Sequence, residues 1–239
     1  MQREIAINGL YNIRDIGGLP SGSGSVVARN QFFRSDSPHA IDSTGQQQLM
    51  LIGVRTVIDL RYENERARLP NPLANLSDMS YHNIPLMVDG AIEHNAEDLT
   101  HLGAFYRYLL NNSQPAFAQV FETMAEQPTG VLFHCQVGKD RTGVVAALLL
   151  ELAGTPSEHI VDDYVATAKH IEPLLPELRK HRPERINSEQ YERLLDARAE
   201  FMHEFLRELQ LTYGSAEQYL THIGVNSTRI HALRAKLTN

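Results

Sequence analysis

The sequence predicts an α/β fold: a mostly parallel central sheet of four or five strands, flanked by helices, with a helical C-terminal half. Three observations carry this. β-branched and apolar runs at 54–60 and 131–134 have strand length and composition. Each follows a segment with apolar residues at helical spacing. The order helix, strand, loop, helix around residue 135 is the grammar of a parallel crossover.

Glu4 to Ile7 reads as a short edge strand. Asn12 to Gly18 and Ser21 to Ser25 read as irregular backbone, marked by a Gly pair and Pro20. Gln31 to Arg34 is the next strand. Asp42 or Ser43 caps a helix to Ile52, which Gly53 stops. Val54 to Leu60 is a central strand. Arg61 to Arg68 is charged and precedes Pro70 and Pro72, the pattern of a solvated loop. Tyr81 to Leu86 is a further strand, and Val88 to Asp98 is polar. Leu99, Leu102, Phe105, Tyr106, Leu109 and Leu110 fall at helical spacing. Pro115 opens a helix that buries Phe117, Val120, Phe121 and Met124.

Beyond Gly154 the chain reads as helical. Thr155 to Glu158 and Ser215 to Gln218 have capping-box form. Ser188 begins one long helix with Tyr191, Leu194, Leu195, Met202, Phe205 and Leu209 as its stripe. Asn226 or Ser227 caps the last helix.

The 239 residues suffice for one large domain with a sizeable core. A net charge of −7 excludes nucleic-acid or anionic-membrane binding by bulk electrostatics, so an anionic substrate needs a local positive site. The single cysteine excludes an intrachain disulfide and suits a reducing compartment. The start has no apolar core of signal-peptide length, and no run reaches transmembrane length. The expectation is a cytoplasmic chain without membrane insertion, with export by another route left open.

Chemistry concentrates at 131–153. An apolar strand ends at His134 and Cys135; a polar loop of Gln136, Val137, Gly138, Lys139 and Asp140 leads to Arg141, Thr142 and an apolar helix. A loop feeding a helix N-terminus gathers N–H groups around an anion, and the helix dipole adds positive charge. Gly138 permits the tight turn. Arg141 offers a fork matched to two phosphate oxygens. A cysteine in that field reacts as a thiolate nucleophile. Thr142 can donate its hydroxyl to the thiolate or to the loop backbone. His134 is better read as ordering the loop than as a base. Asp59 stands at the end of a strand, where α/β sheets place their sites; it reads as a brace before an acid.

The His-Cys, Gly138-Lys139-Asp140 and Arg141-Thr142-Gly143 pattern resembles the cysteine-dependent protein tyrosine phosphatases. It is most similar to the bacterial group with a Lys-Asp pair in this loop, which includes secreted mycobacterial and Listeria enzymes acting on phosphotyrosine and phosphoinositides. The Asn12 to Gly18 run matches the same group. The resemblance implies a cysteine-phosphatase fold in a single catalytic domain over 1–239, with a helical lid within 88–112. It implies hydrolysis of a phosphomonoester through a phosphocysteine on Cys135, with Arg141 and the N–H groups of 136–141 on the phosphate. The substrates it implies are phosphorylated protein, or phosphoinositide with Lys139 as a second cation at the rim. No cofactor is implied, and no metal-ligand cluster is visible. Asp140 ranks first as general acid, then Asp59, then Asp89, with Asp98 also in the polar segment. Arg14 and Asp15 are read as braces beside the site. A rhodanese-like sulfurtransferase and a catalytically silent phosphate-binding module remain the alternatives.

Overall fold

The computed structural model describes residues 3–22, 24–86, 102–128, 130–184 and 186–238. Five strands form one sheet in the order β1 (Arg14–Asp15), β2 (Phe32–Ser35), β5 (Val131–His134), β3 (Thr56–Asp59), β4 (Ser80–Asn83). All pairs are parallel except β1–β2. The last-sequenced strand, β5, is therefore inserted between β2 and β3. Ser35, His134, Asp59 and Asn83 align at the C-terminal ends of the four parallel strands, the edge where such sheets place ligand sites.

Strand side chains alternate, so the three inner strands feed two cores. Phe32, Ile58, Val131 and Phe133 join the larger core on one face, and Phe33, Val57 and Leu132 join the smaller core on the other. The smaller core is closed by α1 (Ser43–Leu51), capped by Asp42, whose carboxylate accepts from Gly45 N at 2.9 Å. The larger core packs under α3 (Leu102–Asn112), α4 (Gln114–Glu126), α5 (Asp140–Leu152) and α6 (Ser157–Val165), and under α10 (Ala199–Tyr213), α11 (Ala216–His222) and α12 (Ser227–Thr238). Helix α5 is apolar nearly all round and buried, as a helix enclosed by others must be. Short helices α7 (Thr167–Ile171), α8 (Leu175–Lys180) and α9 (Ser188–Leu195) complete the chain. No helix among the described residues is long and apolar enough to cross a membrane.

Several local expectations are corrected. Glu4 to Ile7 makes only isolated bridges, and the edge strand is Arg14–Asp15, inside the segment expected to be irregular. Residues 63–68 are not a loop but a helix, α2 (Glu63–Arg68), with acids in its first turn and arginines in its last, as the dipole favours. Thr155 does not cap α6; its hydroxyl has no partner among the described residues. The long helix from Ser188 is broken at Asp196, Ala197 and Arg198 into α9 and α10. Asp196 carries the break by accepting from Ala197 N at 2.8 Å. Ser215 and Asn226 do cap, accepting from Gln218 N and Thr228 N. The expected lid falls partly outside the described residues, as do Asp89 and Asp98. Its described part, α3, is a core helix with Tyr106, Leu109 and Leu110 fully buried.

Candidate active site

Strand β5 delivers Cys135 to the C-terminal edge of the sheet, where it is only 3% exposed. The loop that follows is sorted by polarity. Five successive carbonyls each find a donor. Cys135 O lies 3.0 Å from His134 Nδ1. Gln136 O accepts from Ser37 N at 3.1 Å, Val137 O from Asn12 Nδ2 at 3.0 Å, and Gly138 O from Arg34 Nη2 at 2.8 Å. Lys139 O accepts the first α5 bond, from Gly143 N at 2.8 Å. A trans peptide points its N–H opposite to its C=O. Anchoring the carbonyls outward therefore turns the N–H groups of 136–140 inward. Those N–H groups, and those of Arg141 and Thr142 that open α5, donate to no group among the described residues. This is the geometry of an anion site at a helix N-terminus.

The anchors are themselves held. Arg14 and Arg34 stand opposite each other across the β1–β2 pair, a placement that like charges disfavour. Asp163 of α6 resolves it, accepting from Arg14 Nε at 3.0 Å and Arg34 Nη1 at 2.5 Å, with Arg3 also on the same carboxylate. Arg14 also fixes Asn12 through Oδ1 at 2.6 Å. Burial would raise the Asp163 carboxyl, but Arg14, Arg34 and Arg3 hold it well below the usual carboxylate range. Asp15 accepts from Gly17 N and Asn30 N, tying the turn after β1. Asp36 accepts from Tyr11 N and Asn12 N, so the Asn12 segment is clamped to the end of β2.

On the other side of Cys135, His134 and Asp59 are fully buried neighbours. The Asp59 carboxylate accepts from Arg61 Nε and Nη2 at 3.0 and 2.7 Å and from Tyr81 OH at 2.8 Å. Burial alone would raise this carboxyl; the Arg61 guanidinium, through its hydrogen bonds and its charge, outweighs it and holds it well below the usual range. A group so held has no proton to release at neutral pH, which removes Asp59 as an acid. His134 is lowered by burial, against the pull of Asp59. The neutral ring fits its partners, with Nδ1–H donating to Cys135 O and Nε2 accepting from Asn71 Nδ2 at 3.0 Å.

Arg141 is paired with Glu65 of α2 through two bonds of 2.7 and 2.6 Å, and its guanidinium lies 5.3 Å from the Tyr62 ring centroid. Burial would lower its proton affinity, but Glu65 and the Cys135 sulfur raise it well above the ordinary guanidinium value. Asp140 accepts from Tyr106 OH at 2.7 Å and pairs with Lys139 Nζ at 2.9 Å. Lys139 is not a rim cation. It is 2% exposed, and its ammonium also donates to the Asp196 carbonyl at 3.0 Å. The break between α9 and α10 brings that carbonyl to it. Thr142 Oγ1 is buried without a partner among the described residues, so neither expected hydroxyl bond is made.

The structure thus brings Cys135, Asp140, Arg141 and the N–H groups of 136–141 together, with His134, Asp59, Arg14 and Asp15 around them as braces. Glu65, Asn12, Arg34, Asn71, Asp163 and Tyr106 were not singled out from sequence. Only Asn12 lay in a motif that had been noticed.

A family model described as "Tyrosine phosphatase family" matches residues 5–239. A tyrosine-protein phosphatase of Nostoc commune is 34% identical over 91% of this chain and 78% of its own length. The triple specificity protein phosphatase PtpB of Mycobacterium tuberculosis is 27% identical over 96% of this chain and 97% of its own. Among solved structures, P. aeruginosa TpbA is similar at 23% identity over 57% of this chain and 68% of that one, with a TM-score of 0.32. With the family model spanning nearly the whole sequence, the chain belongs to the tyrosine phosphatase family.

Proposed function

We propose that this tyrosine phosphatase works in two steps through a phosphocysteine on Cys135. The observation that carries the reading is the loop after Cys135 whose five carbonyls are all anchored while its N–H groups have no acceptor among the described residues. Cys135 attacks phosphorus, and the N–H groups of Gln136, Val137, Gly138, Lys139, Asp140 and Arg141 take the equatorial oxygens. Preorganised donors of this kind stabilise charge that develops in the transition state. Arg141 supplies the remaining pair of donors. Asp140 gives a proton to the leaving oxygen, then accepts one from the water that frees the enzyme. His134, Asp59, Arg14 and Asp15 hold the loop.

Phosphorylated protein is the first substrate of this reading. Phosphoinositide activity stays within it through the loop resemblance, but burial of Lys139 removes the cation expected to meet a second phosphate. A phosphoinositide would then be read through its one reacting phosphate. The test is phosphate release from an aryl phosphate, a phosphotyrosine peptide and a phosphoinositide, by the parent and by Cys135→Ser. Loss of turnover with retained phosphate binding in Cys135→Ser is expected. Unchanged hydrolysis by that variant would overturn the phosphocysteine.

A further inference from the structure

Asp140 opens α5, and its two oxygens sit in different surroundings. Oδ1 accepts from Tyr106 OH at 2.7 Å and lies 2.9 Å from Lys139 Nζ. Oδ2 has no partner among the described residues, and the side chain remains 27% exposed. Tyr106 comes from α3 and is fully buried. Its hydroxyl also meets Tyr164 OH of α6 at 2.6 Å, with the two rings edge-on at 84°. A phenol has one proton to give. When Asp140 is ionised, Tyr106 donates to Oδ1, so Tyr164 must donate to Tyr106. The bonds run in one direction, from Tyr164 to Tyr106 to Asp140. Packing alone would be served by phenylalanine at both positions. A tyrosine hydroxyl placed in a core has to be satisfied, and here the chain of hydroxyls ends on the one loop carboxylate.

We propose that Tyr106, backed by Tyr164, is the positioning residue for acid–base work by Asp140: it occupies Oδ1 and leaves Oδ2 as the oxygen that exchanges the proton. The inference rests on the reading of Asp140 as the acid. In the first step the S–P bond forms, the P–O bond to the leaving group breaks, and the proton moves from Oδ2 to the leaving oxygen. In the second, a water oxygen forms the new P–O bond, the P–S bond breaks, and the water proton goes to Oδ2. The carboxyl ends as it began. Neither tyrosine loses a proton.

The groups facing this carboxyl are Lys139 from the loop, Tyr106 from α3 and Tyr164 from α6. The Asp196 carboxylate and Arg34 act on Tyr164 in opposite directions. Both tyrosine hydroxyls are pushed well above their ordinary value, by burial first and then by the Asp140 charge. They stay donors across any practical assay range. Without the Tyr106 hydroxyl, the carboxyl loses its fixed orientation.

The experiment compares kcat for the parent, Tyr106→Phe, Tyr164→Phe and Asp140→Asn, on an alkyl phosphate and on nitrophenyl phosphate. The alkyl leaving group needs the proton and the nitrophenolate does not. Tyr106→Phe is expected to lose about tenfold on the alkyl phosphate and to spare nitrophenyl phosphate. Tyr164→Phe keeps the Tyr106–Asp140 bond and should show a smaller change of the same sign. Adding Tyr106→Phe to Asp140→Asn should cost less than about twofold more, because the two act through one carboxyl. Equal losses of Tyr106→Phe on both substrates would reduce Tyr106 to packing and overturn the inference while leaving Asp140 as the acid. If Tyr106→Phe does not fold, Tyr164→Phe decides on the same readout. If Asp140→Asn itself loses equally on both substrates, Asp140 is not the acid, and the inference falls with that reading.

Discussion

Glu65 holds Arg141 end-on, spending one N–H from each terminal nitrogen. A second Nη1–H reaches the Leu60 carbonyl at 3.4 Å. Among the described residues, the donors left over are Nε–H and the other Nη2–H, which lie side by side on one edge of the fork. That is the edge geometry for two oxygens of a single phosphate. Glu65 therefore does not compete with an anion; it aims the unspent edge and neutralises a guanidinium that is 8% exposed.

Glu65→Gln tests this aim. Glutamine can accept only through its one oxygen, so the fork loses its second anchor. We expect kcat/KM to fall roughly tenfold, about 1.4 kcal/mol, by similar factors for aryl and alkyl phosphates, since phosphate binding rather than proton transfer is disturbed. Steady-state kinetics on the two substrates check it. An undiminished kcat/KM would show that Arg141 finds its position without Glu65.

How much of this was legible follows from where the information lies. Cys135, Gly138, Asp140 and Arg141 sit within seven consecutive residues, and the chemistry of an anion loop fixes their order. Glu65 and Asp163 act across 76 and 129 residues of chain, and no local pattern marks such pairs. Helix α2 left one signal, a Glu65 carboxylate reaching back to Tyr62 N at 3.1 Å, but a segment in which five of six residues are charged or polar reads equally well as solvated chain. The break at Asp196 was hidden because apolar spacing continues across it. Its carbonyl is held by Lys139, a contact visible only in three dimensions. The same contact explains why Lys139, cationic and in the right loop, was misread as a rim residue.

Asp163 should be the costliest single brace to remove. Asp163→Ala leaves Arg14 and Arg34 buried, facing and unpaired, and loosens the anchor of Gly138 O. Breaking a buried ion pair by removing one partner costs about 3–5 kcal/mol. Denaturant midpoints of the parent and the variant measure it. The Asp163 carboxyl is held below its ordinary 3.8, so its contribution is present above that value and lost as pH falls below it. The gap between the two proteins should therefore narrow on acidification. A gap under about 1 kcal/mol at neutral pH would mean that water or backbone groups replace the carboxylate.

Asp36 behaves in the opposite sense. Burial pushes its carboxyl from 3.8 up to about 6, against the N–H bonds from Asn12 and Tyr11. Between those values the folded state binds a proton that the unfolded state has released. Its contribution is complete below 3.8 and is lost as pH rises through about 6. Two pKa units correspond to about 2–3 kcal/mol. Asp36→Asn keeps an acceptor for both N–H groups and does not titrate. Its stability relative to the parent should rise by that amount between pH 4 and 7, read by denaturation at each pH. A difference that stays flat with pH would remove Asp36 from the balance.

Gly138 is where backbone conformation, loop anchoring and chemistry meet. Its φ is +74°, and an added Cβ would stand 2.3 Å from the Ser35 carbonyl oxygen. Neither obstacle can be relieved by a side-chain rotation, because both are backbone against backbone. Gly138→Ala must therefore move the loop away from the end of β2, which lengthens the Arg34–Gly138 and Ser37–Gln136 bonds together. A displacement of about 1 Å in a catalytic loop costs on the order of 100-fold in rate. Gly53→Ala supplies the control. Its φ is +93°, but no atom lies within 4 Å of the added Cβ, so it carries the strain without the collision. We expect Gly53→Ala to lower stability by about 1 kcal/mol and to leave kcat/KM within about twofold, while Gly138→Ala loses about 100-fold. Equal effects of the two substitutions on activity would show that the close approach to Ser35 does not set the shape of the loop.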